Sequence, residues 1–424
     1  MTQKDSTSKF KEIKAKDYFN VNQYRIDLWN QLKELSGNYR SGASKKSITS
    51  LQTDLNKVLS QLGVIEKYWA YPSLNSIEHL QGLIERNDLH AFQNTVADIV
   101  RMISSDNYKL KRYRNSPIPE NGNSNEHEEV VEKNNSHYFE VLFVDDLSKT
   151  EEDDIKDKFG QIADSDDSFC YEIVFAKNLQ DALIALRFNY NIQSVVIRYG
   201  VTQKVNGEMK QLKPFVYNIL AKDFSGVSED QLVVDLAREI KDFRPELDIY
   251  YVSDQTLDQT DTDILHLFRR IFYRQEDVQE AHLSIRRGIA ERYEAPFFKA
   301  LVDYSKRPTG VFHAMPISRG NSVFKSNWIK EMGEFYGRNL FLAETSATTG
   351  GLDSLLQPTG TLKKSMDMAA RAFGSQFTYF VTNGTSTSNK IVWNSTVAAG
   401  DIVVVDRNCH KSILHSIIMT GAIP

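Results

Sequence analysis

The feature that most constrains the fold is an alternation of apolar runs and helical patterns that begins at Tyr138. The runs are short and bounded by polar residues: "YFEVLFVDD" (138–146), "YEIVFA" (171–176), "QSVVIRYG" (193–200) and "DIYYVSD" (248–254). Helical spacing lies between them, around Leu179–Phe188 and Asp230–Asp242. Strands that alternate with helices form a parallel sheet covered on both faces. The sequence therefore predicts a doubly wound α/β domain over residues 138–255.

An acidic pair, Asp145 and Asp146, closes the first of these strands and resembles the pair that holds magnesium in response-regulator receiver domains. Receiver domains also need a phosphate-accepting aspartate at the end of the third strand. This chain has Ile197, Arg198 and Tyr199 there. We therefore interpret residues 138–255 as a structural, flavodoxin-like module that does not accept phosphate.

The part of the chain before this sheet is predicted to be helical. Residues 1–114 contain four amphipathic patterns, the first formed by Val21, Tyr24, Leu28, Leu32 and Leu35, with the i, i+3, i+4 spacing of a helix. The second pattern ends before Gly63, which suggests a C-cap. These patterns predict a small bundle, and the Pro-, Asn- and Glu-containing stretch 115–137 predicts a linker.

Composition excludes several classes of protein. The net charge of −5 argues against a protein built to hold nucleic acid or anionic lipid. No apolar run approaches the roughly 20 residues that a spanning helix needs, and the first residues contain no signal-peptide core. The two cysteines, Cys170 and Cys409, are too few for a disulfide framework or a zinc site. We expect a cytoplasmic protein without a metal centre.

The last third of the chain is α/β again. After a predicted helical linker at 256–310, a helix ends at Gly374, and "FTYFVT" (377–382) and "DIVVVD" (401–406) have the pattern of buried strands. The stretch "FVTNGTSTSNK" (380–390) then turns from a strand into a helix. Such a turn presents free backbone N–H groups at the positive end of the helix dipole. Gly384, Thr385 and Ser386 could therefore seat a phosphate group, and simple helix capping by Thr385 or Ser386 is an equal alternative.

A second polar loop, "VVVDRNCHKS" (403–412), follows the next predicted strand. Since ligands bind at the carboxyl ends of parallel strands, both loops should face the same crevice. The imidazole of His410 could stack there on a flat ring whose phosphate lies at Thr385 and Ser386. A hydrogen-bonded or exposed histidine at a helix start is the alternative.

Five motifs in this order resemble the bacterial ornithine/lysine/arginine decarboxylases: "FHAMPISRG", "LAETSATTGGLDSLLQPTG", "AARAFG", "FVTNGTSTSNK" and "VDRNCHKS". The resemblance implies that 311–424 is the start of a pyridoxal-phosphate (PLP) large domain with the aspartate-aminotransferase fold (fold type I). It implies that Gly384, Thr385 and Ser386 hold the cofactor phosphate and that His410 stacks on its ring. It also implies that 138–255 is a "wing" domain that joins dimers into larger rings, so a homo-oligomer is expected.

The resemblance further implies decarboxylation of lysine, arginine or ornithine to a diamine or agmatine and CO2. In the family the Schiff-base lysine lies well downstream, so we expect it beyond Pro424, with no catalytic residue in this chain and no activity from this chain alone. Two other interpretations stay open. One is an aminotransferase of the same fold, and the other is a non-catalytic scaffold that uses the bundle and the wing domain for binding.

Overall fold

The chain forms two compact units, Met1–Arg292 and Tyr293–Pro424. The computed structural model describes residues 13–38, 45–111, 137–162, 169–198, 212–220, 227–253, 262–273, 278–308, 310, 317–344 and 352–424. Of the predicted linker at 115–137, only His137 lies within the described residues.

The first unit begins with amphipathic helices whose buried faces follow the spacing in the sequence. Their bounds are α1 Val21–Gly37, α2 Lys45–Glu66, α3 Ser73–Glu85, α4 Leu89–Ser104 and α5 Tyr108–Lys111. The side chains of Asn20 and Asp88 cap α1 and α4 by accepting backbone N–H groups. The predicted C-cap at Gly63 is wrong, because α2 continues to Glu66 and buries Ile65. One glycine costs a helix only about 1 kcal/mol relative to alanine, so burial outweighs it.

A five-stranded parallel sheet follows, in the order β2-β1-β3-β4-β5. This is the strand order of flavodoxin-like folds. Its strands are β1 His137–Val144, β2 Phe169–Ala176, β3 Ile192–Arg198, β4 Asp248–Ser253 and β5 Arg270–Tyr273. The helices between and after them are α6 Lys149–Ile162, α7 Leu179–Phe188, α8 Lys213–Leu220, α9 Glu229–Phe243 and α10 Val278–Tyr293.

The fifth strand corrects the sequence-based division, which placed 256–310 in a helical linker. The sheet extends beyond residue 255 because Arg270–Tyr273 pairs with β4. A strand of four residues is too short for its alternation to show in the sequence. The proposed division into domains otherwise stays a prediction.

The two faces of the sheet have different cores. Phe139, Val141 and Phe143 of β1 pack into a cluster with Ile285 and Ile289 of α10. The alternate residues Leu142 and Val144 belong to a larger cluster that also contains buried residues of α1 to α4, α7 and α9. The helical bundle and one face of the sheet therefore share a continuous core.

Among the described residues of the second unit, the regular elements are helices joined by turns and loops. Its helices are α11 Pro296–Lys306, α12 Asn321–Phe324, α13 Lys330–Tyr336, α14 Arg338–Leu342, α15 Thr361–Phe373, α16 Thr385–Thr396 and α17 Lys411–Thr420. Gly374 ends α15 in the left-handed conformation (φ 64°), as its position in the sequence predicts. Helical spacing in the sequence predicts that Phe373 faces inward with Leu362 and Met366, but Phe373 is 85% exposed.

The two strands predicted in this unit, 377–382 and 401–406, are not formed. In the second segment, the backbone forms an isolated parallel bridge between Ile402 and Ile423. A strand is defined by its backbone partners, and the described residues of this unit supply no further ones. The apolar side chains that suggested a buried strand are accordingly exposed, Ile402 at 82% and Val404 at 100%.

No helix among the described residues is both long and apolar enough to cross a membrane.

Candidate functional site

The turn before α16 has the form of an anion site. Gly384 adopts φ 79° and ψ 178°, a conformation that favours glycine, and α16 starts at the next residue. The carbonyl of Gly384 accepts the N–H groups of Thr387 and Ser388 at 3.0 and 3.2 Å. Within the described part of the chain, the N–H groups of Thr385 and Ser386 have no acceptor, and no side chain caps the helix. The capping role considered as an alternative for Thr385 or Ser386 is therefore not what the structure shows.

Space is available at this turn. A Cβ built on Gly384 meets no atom within 4 Å, and Thr385 and Ser386 are both exposed. Two free amides, two hydroxyls and the positive end of a twelve-residue helix make this turn suitable for a single phosphate group.

His410 lies at the start of α17 and is its N-cap residue. Its Nδ1 atom accepts the backbone N–H of Ser412 at 3.2 Å, and the residue is exposed. Histidine is an unusual cap, since serine, threonine, aspartate and asparagine are preferred there. The hydrogen-bonded histidine foreseen as an alternative is thus present, and its exposure still leaves the ring accessible to a flat ligand.

One hydrogen bond brings the two loops together. Asn389, in the second turn of α16, donates its amide Nδ2–H to Ser412 Oγ at 2.8 Å. Ser412 Oγ also lies 2.9 Å from His410 Nδ1. The structure therefore places the start of α17 beside the second turn of α16, and a common crevice for the turn at 384–386 and His410 stays a prediction. The reasoning from sequence missed Asn389 and Ser412, although both stand in the motifs "TSTSNK" and "CHKS".

A third residue missed from sequence is Asp353, which organises the loop before α15. Its carboxylate accepts backbone N–H groups of Ser354, Thr359, Gly360, Leu362 and Lys363, at distances of 2.7 to 3.2 Å. These hydrogen bonds, that from Thr359 above all, lower the pKa of Asp353 to about 2. The loop and the first turn of α15 are thereby held by one negative charge.

A cleft of about 420 Å³ runs along α15, between Thr359 and Arg371. Its lysines are paired: Lys363 forms an ion pair with Asp367, and Lys364 contacts Glu294 at 2.6 Å. Paired cations leave little charge for an anionic ligand, so we place the candidate site at the turns before α16 and α17 and not in this cleft.

At the end of β1, the acidic residue that resembles a receiver site is paired with an arginine of the same sheet. Arg198, at the end of β3, forms an ion pair with Asp145 at 3.1 Å. Burial raises the pKa of Asp145, and the charge of Arg198 opposes that rise. A guanidinium group thus contacts the acidic residue that would bind magnesium in a receiver. Among the described residues, no group of three or more His, Cys, Asp or Glu side chains could hold a metal ion.

Comparison with known proteins identifies the segment that contains the candidate site. Residues 295–424 match the family model described as "Orn/Lys/Arg decarboxylase, major domain". This segment is similar to the major domain of the Orn/Lys/Arg decarboxylases. The resemblance expected from the five motifs is confirmed.

Individual relatives agree with this assignment. Lysine decarboxylase LdcA of Pseudomonas aeruginosa is 42% identical over 202 residues, which are 46% of this chain and 27% of the relative. The constitutive lysine decarboxylase of Escherichia coli K12 is 32% identical over 200 residues, 46% of this chain and 28% of that protein. The inducible ornithine decarboxylase of the same organism is 31% identical over 180 residues, covering 41% and 24%. The aligned stretch thus spans about a quarter of the length of these relatives.

Among solved structures, lysine decarboxylase A from Pseudomonas aeruginosa is similar, with 31% identity over 68% of this chain and 36% of that one. Its TM-score is 0.29.

Proposed function

We propose that the whole protein is a PLP-dependent decarboxylase of a basic amino acid: lysine, arginine or ornithine. The observation that carries the proposal is the pair of adjoining helix starts, one with two unbonded amides and the other with an exposed histidine. The family model and the relatives' names support the reaction class. Since the relatives reported above are all named decarboxylases, decarboxylation is favoured over transamination or a scaffold role.

The residues of the chain fit a PLP group. The amides and hydroxyls of Thr385 and Ser386 would bind its phosphate, because charge-assisted hydrogen bonds to an anion are stronger than neutral ones. The left-handed turn at Gly384 keeps the approach to these amides free of a side chain. The exposed imidazole of His410 would cover one face of the pyridine ring. When bound, PLP supplies the electron sink that stabilises the carbanion left by departing CO2.

The turn favours a single phosphate monoester over a nucleotide triphosphate. Between Thr382 and Asn389 it contains no lysine or arginine, whereas a Walker loop places a lysine against the β- and γ-phosphates. Backbone amides and hydroxyls suffice for one terminal phosphate.

A spectrophotometric titration of the whole protein with PLP tests this site. Ser386→Ala removes one charge-assisted hydrogen bond, which costs about 1.5–3 kcal/mol, so we expect the Kd for PLP to rise about ten- to hundredfold. His410→Ala should also raise the Kd and reduce turnover, because the ring loses its stacking partner. Ser395→Ala is the matched control, since Ser395 is exposed on the same helix and, among the residues that the structure describes, its hydroxyl donates only to the Ile391 carbonyl. Unchanged affinity in both site variants, or no PLP binding by the whole protein, would show that the assignment is wrong.

The remaining expectations are part of the same proposal. They are that the Schiff-base lysine lies outside residues 1–424, that the protein forms a homo-oligomer through the flavodoxin-like domain, and that it works in the cytoplasm on polyamine-forming substrates. Borohydride trapping with peptide mapping of the whole protein identifies the lysine, and sedimentation measures the oligomer.

A further inference from the structure

The hydrogen bonds around His410 define which ring nitrogen carries the proton. A backbone N–H group can only donate, and that of Ser412 lies 3.2 Å from His410 Nδ1 with the geometry of a hydrogen bond. Nδ1 must therefore present its lone pair. The neutral ring then carries its proton on Nε2, which has no hydrogen-bond partner among the residues that the structure describes.

A second donor reaches the same nitrogen through a relay. Asn389 donates its amide proton to Ser412 Oγ at 2.8 Å, and this hydroxyl lies 2.9 Å from His410 Nδ1. Because the hydroxyl oxygen already accepts from Asn389, its own proton is free to be donated to Nδ1. Ser412 is only 2% exposed, so water does not compete with these bonds. The direction of donation is then the same along the relay, from Asn389 through Ser412 to His410.

We propose that Asn389 and Ser412 are positioning residues for His410. They fix its tautomer and, with two donors on one ring nitrogen, fix the plane of its exposed ring. The ring is thereby held ready to stack on a flat cofactor. This last step rests on the proposed PLP site, whereas the fixed tautomer does not.

A purely structural role is the competing explanation, in which the Asn389–Ser412 bond only joins α16 to α17. The two explanations differ in the direction that they require for the hydrogen bond between Asn389 and Ser412. A structural tie needs any hydrogen bond between the helices, but the relay needs Asn389 to donate. Asn389→Asp keeps the size of the side chain and reverses the polarity, because a carboxylate accepts the hydroxyl proton of Ser412. His410 Nδ1 then loses the O–H donor and faces an oxygen lone pair.

Nitrogen-15 NMR of the histidine ring in the cofactor-free whole protein reads the tautomer directly. In the wild type we expect His410 Nδ1 to be unprotonated and Nε2 to carry the proton. Asn389→Asp should shift the ring-nitrogen signals of His410, because Nδ1 keeps the backbone N–H of Ser412 but loses the O–H donor. Asn394→Asp should leave them in place, since it makes the same substitution at an exposed position of the same helix. Unchanged ring-nitrogen signals of His410 in Asn389→Asp would overturn the proposal.

Cofactor affinity provides the second measurement, without a change of charge. Ser412→Ala removes the relay hydroxyl and should raise the Kd for PLP about two- to tenfold, the effect of one ordinary hydrogen bond. Ser412→Thr keeps the hydroxyl and should restore most of the affinity. Equal affinities in the two variants would contradict the positioning role. The pair also keeps the proposal testable if Asn389→Asp does not fold.

Failure of this proposal is distinguishable from failure of the PLP site. If the wild type binds no PLP but Asn389→Asp shifts the ring-nitrogen signals of His410, the relay is real and the proposed function is wrong. If His410→Ala weakens PLP binding while Asn389→Asp and Ser412→Ala change nothing, the site is right and the relay is wrong.

Discussion

At the scale of single residues, Asp353 illustrates what a sequence does not reveal about a turn. Pro358 and Gly360 mark the loop in the sequence, but the group that holds it together is a carboxylate several residues earlier. Its acceptor contacts reach as far as Lys363, and no local pattern encodes contacts of that range. His410 is similar: its position in the sequence predicted the loop, whereas the bond that Asn389 donates to its neighbour Ser412 depends on how two helices meet.

Asp353→Asn should loosen the first turn of α15, because the amide keeps the shape but loses the charge that attracts the backbone N–H groups. The pKa of about 2 lies below the ordinary value of 3.8, so the stabilising contribution is complete above pH 4 and is lost as the pH falls towards 2. Amide hydrogen exchange of residues 359–364, measured by NMR near neutral pH, should become several-fold faster in the variant.

Asp367→Asn serves as the control for this change. Asp367 is exposed on the same helix and pairs with Lys363, so its substitution removes a charge without touching the loop. Equal exchange rates in Asp353→Asn and in the wild type would mean that the carboxylate does not hold the loop.

At the scale of elements, periodicity predicted the helices and the longer strands well because burial imposes it. In α3, for example, Ile77, Leu80, Leu83 and Ile84 follow helical spacing in the sequence, and all four are buried. Where the apolar side chains of a run are exposed in the structure, the prediction from periodicity is wrong. The apolar run 401–406 looks like a strand, yet strand formation depends on backbone partners elsewhere in the chain, which local sequence does not specify.

In the β1–β2 pair, one tyrosine hydroxyl contacts two carboxyl groups. Glu140 is fully buried and stands opposite Glu172 in the register. Tyr138 Oη lies 3.1 Å from Glu140 Oε1 and 3.0 Å from Glu172 Oε2. One phenol proton cannot serve both carboxylates, so both contacts are satisfied together when Glu140 is protonated and donates to Tyr138. Burial raises the pKa of Glu140, which favours that form.

Glu140→Gln should therefore stabilise the protein at neutral and alkaline pH. The pKa in the folded state is raised above 4.5, so in the wild type the contribution of Glu140 is complete below pH 4.5 and is lost as the pH rises through the raised value. Glutamine mimics the protonated acid at every pH. We expect the free energy of unfolding in urea at pH 8 to increase by about 1–3 kcal/mol, with a weaker dependence on pH. Other groups that act on this site are Arg25, Tyr108, Asn189, Asn191 and the N–H of Ala70.

Glu78→Gln is the control, because Glu78 is exposed and pairs with Lys149 at the surface. A stability at pH 8 that falls in Glu140→Gln would show that the carboxylate is ionised and satisfied by its donors.

At the scale of the whole molecule, the first unit combines a helical bundle and a sheet that the sequence predicts as separate domains. The stretch 115–137 predicts two independent domains, but the bundle and the sheet share one core. Hydrogen bonds also connect the bundle to the α/β domain. Tyr68 donates to Asp181 at 2.8 Å, and the N–H of Ala70 donates to Glu140 at 3.0 Å. Asn189 adds a bond to the carbonyl of Tyr68. Local patterns describe each half correctly and contain no information about which faces meet.

This shared core predicts that the bundle and the sheet unfold together. Leu62 of α2 is fully buried, so Leu62→Ala should cost about 2–5 kcal/mol of stability. Opening of the bundle exposes the core face of the sheet. If the unit unfolds cooperatively, the backbone amides of β1 and β3 should therefore also lose protection from exchange, although Leu62 lies in neither strand. Hydrogen-exchange mass spectrometry should then show faster exchange in peptides from 137–198 as well as from 45–66. Leu74→Ala, at a position 41% exposed on α3, should change neither. Faster exchange confined to 13–111 would show that the bundle and the sheet are separate cooperative units despite their common core.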